Sequence, residues 1–154
     1  MKKDQETYYA ETPKNPEQVK SILIDPKLKP EEELIGLFLA TYWPSYWWLS
    51  LAAVTAPIGL CFWFFGIRNY YVAVTTQGMH FHKMRYGLGK RNTYSCFSWN
   101  EITKLKLGKG FMTASLKLKF SNGRKLKLKP TLRGYKKVAK LDDKTKEYLL
   151  SKMS

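Results

Sequence analysis

Three segments of the chain alternate lysine with leucine, KLKL at 104–107, SLKLKF at 115–120 and KLKLK at 125–129, all within 26 residues. A strand sends successive side chains to opposite faces, so Leu105, Leu107, Leu116, Leu118, Leu126 and Leu128 share one face. Lys104, Lys106, Lys117, Lys119, Lys125, Lys127 and Lys129 share the other. The pattern requires a sheet with one apolar and one cationic side. It also fixes a hairpin. A two-residue loop at Asn122-Gly123 would set Phe120 against Lys125 and Lys119 against Leu126, mixing the faces. A three-residue loop, Ser121-Asn122-Gly123, sets Leu118 against Leu126, Leu116 against Leu128 and Lys119 against Lys125, with Gly123 in the left-handed position of a bulged turn.

Alternation and β-branched or aromatic residues extend back to residue 70, predicting strands at about 70–75, 78–85, 93–99, 103–107, 112–120 and 124–129. The connections are short, which implies an antiparallel meander. After Pro130 the spacing becomes helical: Asp142 or Asp143 caps a helix over about 142–153, with Leu141, Tyr148, Leu149 and Met153 on one stripe. Six or seven strands under one short helix bury their leucine face only if the sheet bends strongly or closes into an open barrel.

Charge is unevenly distributed. Residues 1–33 carry six lysines against eight carboxylates and read as a polar, flexible tail; residues 68–154 carry 21 basic against four acidic side chains. So basic a half points to an anionic partner, whether lipid headgroups, an acidic protein or nucleic acid. Cys61 and Cys96 are the only cysteines, too few for a disulfide framework, and no metal-ligand spacing occurs.

From Leu34 to Ile67 there are 34 consecutive residues without a charge, more than the ~20 that cross a hydrocarbon core. Aromatics cluster at both ends, Tyr42, Trp43, Tyr46, Trp47 and Trp48 at one and Phe62 to Phe65, including Trp63, at the other. Trp43 to Phe65 spans about 33 Å as a helix, near the thickness of a bilayer. The expectation is a transmembrane α segment over 34–67, with one span at about 44–67 or a short hairpin turning near a proline. Trp63 and Arg68 would mark its second interface. The excess positive charge places the 68–154 domain on the cytoplasmic side of an integral membrane protein.

The runs LKPEEELIGLFLATYWPSYWW, YYVAVTTQGMHF, FSWNEITKLKL and SLKLKFSNGRKLKL, through Tyr71 to Thr75, Trp99 to Ile102 and Asn122-Gly123, resemble the bacterial pleckstrin-homology-like membrane proteins over about residues 28–152. The resemblance implies a membrane segment followed by a mainly-β pleckstrin-homology-like domain, acting as a binding or scaffolding module without a reaction.

The candidate contacts for an anionic partner are the seven lysines of the alternating face and Arg85, Lys90 and Arg91 of the loop RYGLGKRN (85–92). That loop lacks the spacing and following helix of a P-loop. Ordinary strand positions account for His80 and His82, Glu101 serves its tight turn, and Cys96 has no activating partner in sequence, so no catalytic residues, cofactor or metal are expected. The expected function is a membrane-anchored, non-enzymatic module whose basic sheet contacts anionic lipid or an acidic protein. Alternatives are an accessory or assembly subunit of a membrane complex, whose partners are other membrane subunits, and a membrane-tethered nucleic-acid-binding domain, for which stacking aromatics among the lysines are missing.

Overall fold

The computed structural model describes residues 6–8, 16–43, 50, 54, 67–84, 92–108, 114–131 and 140–153. Eight antiparallel strands form one sheet: β1 (Glu6–Tyr8), β2 (Leu34–Tyr42), β3 (Arg68–Thr75), β4 (Gly78–Met84), β5 (Asn92–Ser98), β6 (Ile102–Gly108), β7 (Ser115–Phe120) and β8 (Lys125–Pro130), in the order β1-β5-β4-β3-β2-β8-β7-β6. A helix at Asp143–Ser151 closes it, with Asp142 Oδ1 accepting from Thr145 N–H at 3.0 Å as its cap.

The sheet is curled back on itself. β5 and β7 stand five places apart in the order, about 24 Å in a flat sheet at ~4.8 Å per strand, yet Phe97 of β5 and Phe120 of β7 stack with centroids 4.1 Å apart. Phe81 of β4 meets both edge-on. Inside the curl lie Phe38, Val72, Val74, Met79, Leu105, Leu116, Leu118 and Leu128, capped by Leu149 of the helix and by Leu141 just before it. The β7–β8 register pairs Leu118 with Leu126, Leu116 with Leu128 and Lys119 with Lys125, the pairing that the leucine pattern requires, and Gly123 has φ +80.

The expected transmembrane segment is corrected by the structure. No helix among the described residues is long and apolar enough to cross a membrane. The integral membrane protein with a transmembrane helix, and the cytoplasmic placement deduced from it, therefore fall. Leu34–Tyr42, the first quarter of the uncharged stretch, is a central strand paired with β3 along its length and with β8 at Ala40 and Thr41. Its lack of charge has a different cause. Ile35, Phe38, Ala40 and Tyr42 join the interior, while Leu34 and Leu37 pack on the opposite face against Val19, Leu23, Ile24 and Ala73. A strand covered on both faces is apolar at every position and loses the alternation that identifies strands. Between Leu34 and Gly36 the register shifts, which is why Ile35 and Phe38 share a face despite odd spacing. Tyr46, Trp47, Trp48 and Trp63, and most of the span proposed at 44–67, lie outside the described residues.

The cover on that second face comes from residues 16–33, which the sequence reads as tail. A short helix (Pro16–Gln18) continues as a π-helical turn (Val19–Ile24) and a 3₁₀ turn (Asp25–Lys27). Leu23 and Ile24 are each 1% exposed. This segment leads Glu32 onto the sheet.

Candidate functional site

Strand pairing brings the lysines of β6, β7 and β8 into a grid. Lys104 stands opposite Lys119 and Lys119 opposite Lys125; Lys106 stands opposite Lys117 and Lys117 opposite Lys127. The result is two rows of three cations, ~4.8 Å apart across strands and about 6.7 Å along them at the backbone. All six are exposed, and among the described residues none of the six forms an ion pair. Their alternate neighbours Leu105, Leu116, Leu118 and Leu128 are buried in the core, so the register that buries the leucines obliges the lysines to stand together. Like charges directly opposite each other destabilise a sheet, and this face carries four such pairs.

Lys129 continues the β8 series but lies at the join with β2, opposite Thr41, with its Nζ 5.0 Å from the centre of the Trp43 ring. Trp43 is 44% exposed. Tyr42 packs against the core, and the Arg68 guanidinium lies 6.0 Å from its ring centre. Of the predicted interface residues, the structure therefore gathers Tyr42, Trp43 and Arg68 at one end of β2. Arg85, Lys90 and Arg91 lie outside the described residues.

A second cluster lies on the face covered by residues 16–33. His80 and Glu32 side chains are 2% and 3% exposed, with His80 Nε2 2.7 Å from Glu32 Oε1. The carboxylate accepts from Nε2–H and also from the Thr75 hydroxyl, and His80 Nδ1 lies 2.7 Å from the Tyr94 hydroxyl. Burial opposes charge on both partners. On His80 the contacts with Cys96 and Glu32 outweigh it and hold the imidazole above its ordinary range; on Glu32 the bonds from Thr75 and His80, the His80 charge and the Lys29 N–H hold the carboxyl below its own. Two strand positions away, His82 is buried beside the Tyr94 ring, and burial with the charges of His80 and Lys27 pushes it down to about 3.

Cys96 Sγ lies 3.7 Å from His80 Nε2, on a cleft of about 610 Å³ that Lys27, Lys29 and Ser98 also line. Its thiol and the Glu32 carboxylate meet the same ring nitrogen, whereas relay through an imidazole needs the nucleophile and the acid on opposite nitrogens. The cluster is accordingly an anchor: it ties the chain at Glu32 to β3, β4 and β5. Period-2 placement of His80 and His82 opposite Cys96 and Tyr94 was a readable signal, since register sets these residues side by side. Nothing in sequence connected them with Glu32, 48 residues away. Glu101 serves its turn as expected, its Oε2 accepting from Ser98 N–H at 3.0 Å and from Ser98 Oγ at 3.1 Å.

Comparison of the chain with protein-family models, with curated proteins and with solved structures finds no match.

Proposed function

We propose that the domain is a non-catalytic binding module that docks through the lysine face of β6–β8 onto a densely anionic surface, an anionic lipid leaflet fitting best. The grid of six exposed lysines opposed only by one another carries the reading. A face selected for solubility alone would mix signs and gain from cross-strand pairing; this one forgoes that gain. Each basic residue near an anionic leaflet contributes about 1 kcal/mol, so six give about 6 kcal/mol, attachment at tens of micromolar without insertion.

Shape and neighbours favour lipid over other polyanions. The grid is an outer sheet face rather than a groove, and its six positions include no aromatic ring on which a base could stack. The half-exposed Trp43 beside Lys129 combines an amphipathic ring with a cation, the pairing found at headgroup depth.

Co-sedimentation of the full chain with vesicles tests this. Binding to vesicles containing phosphatidylglycerol, absent from phosphatidylcholine vesicles, weakened by salt and abolished when Lys104, Lys106, Lys117, Lys119, Lys125 and Lys127 are all changed to Gln, is the expected result. Equal binding of the Gln variant, or a preference for an acidic protein or nucleic acid over vesicles at matched charge, overturns it.

A further inference from the structure

At one end of the curled sheet the inward face changes character. Cross-strand rows of the interior run Val74, Met79 and Phe97, then Val72, Phe81 and Ser95, then Tyr70, Lys83 and Thr93, and Arg68 follows on β3. Positions whose parity points into the core thus turn from valine and phenylalanine to hydroxyls and cations within two rows. Such a break of the binary pattern carries a stability cost unless the polar groups have a use.

They line a cavity of about 180 Å³. Arg68 and Lys83 line it from β3 and β4, and Arg124 from the hairpin across the curl with Lys125 at its rim, so cations stand on both walls. Its floor is the aromatic cluster already described, Phe97 stacked on Phe120 with Phe81 edge-on. Among the described residues that line it there is no carboxylate. Hydroxyls of Tyr70, Thr93 and Ser95 complete the lining. Burial holds the Tyr70 phenol above its ordinary range against the pull of Arg68, so it remains an O–H donor.

We infer that this cavity binds a small phosphomonoester, its phosphate held between Arg68 and Lys83 on one wall and Arg124 on the other, its carbon skeleton against Phe97 and Phe120. The volume is about six water molecules' worth, which matches a phosphate on a short polyol. Arginines suit the group because their planar forks match phosphate oxygens in pairs. The inference is independent of the docking reading: the cavity opens inside the curl, the grid lies outside it, and only Lys125 belongs to both.

The test uses the full chain. Calorimetric titration with glycerol 3-phosphate is expected to give saturable one-to-one binding, reduced tenfold or more by the double change Lys83→Gln and Arg124→Gln and unchanged by Lys106→Gln with Lys117→Gln. The same ligand chemistry occurs on lipid, so vesicles carrying phosphatidic acid are compared with phosphatidylglycerol vesicles at equal surface charge. Preference for phosphatidic acid that the cavity variant loses assigns the site to a headgroup, and binding of soluble glycerol 3-phosphate alone assigns it to a free compound. Absence of both, or equal loss in the cavity and face variants, overturns the inference. A thermal melt of each variant shows that it is folded.

Discussion

At the scale of single residues, His82 is the side chain whose ionisation most constrains the fold. It is fully buried, and with its folded value near 3 against an ordinary 6.5, the native state rejects a proton that the unfolded chain accepts. Stability from this group is complete above pH 6.5 and declines as pH falls towards 3, by at most ~5 kcal/mol. His80 works in the other direction: its value is raised, so its contribution is complete below 6.5 and is lost as pH rises through the folded value. Glu32, held low, contributes above the ordinary carboxyl range and is lost only below 4.5. Stability should therefore peak near pH 6.5 and begin to fall before any carboxylate titrates. Urea denaturation at pH 6.0 and 4.5 is expected to show a loss of about 2 kcal/mol in the native chain and little in His82→Asn. An equal loss in both would remove His82 from the account. Register alone sets the histidine pair beside Cys96 and Tyr94, but only the docking of residues 16–33 makes one member an anchor and the other a buried neutral ring.

At the scale of elements, legibility followed the polarity of the second face. β5 to β8 have one face in the core and β3 and β4 carry mostly polar or small side chains on their covered second face, Asn69, Thr75, Ala73, His80 and His82, so period 2 survives in all six sequences and their bounds lie within three residues of expectation. β2 has protein on both faces, shows no period, and reads as membrane. Its bulge at Leu34/Gly36 matters for packing as well: a Cβ on Gly36 would stand 1.8 Å from Thr145 Oγ1 of the closing helix. Gly36→Ala should push the helix off β2 and cost about 2–3 kcal/mol in a denaturant titration, as overpacking does. Gly123→Ala meets no atom within 4 Å and should cost about 1 kcal/mol through its φ alone. Reversal of that order would show that the helix is not seated on Gly36. The cross-strand lysines make a prediction of opposite sign. Lys117 has a lysine on each side, so Lys117→Glu replaces two repulsions by two attractions and should stabilise the domain by about 0.5–1.5 kcal/mol at low salt, less at high salt. A destabilised variant would mean that the grid is not internally repulsive.

For the whole molecule, the apolar and cationic demands of the sequence are met by one geometry. Curling the sheet puts the leucines inside with the phenylalanines and leaves the lysines outside on three adjacent strands, while residues 16–33 seal the far half. Both outer faces are thus accounted for differently: one is covered by the chain itself, the other is left open and charged. The central claim is that this open face is maintained for a partner at the expense of stability. The partition of Lys117→Glu and the unaltered chain onto phosphatidylglycerol vesicles at low salt tests it most directly. The account predicts that the variant binds about thirtyfold more weakly, from roughly 1 kcal/mol for the charge removed and again for the charge reversed, although its fold is the firmer of the two. Undiminished binding by Lys117→Glu would contradict it.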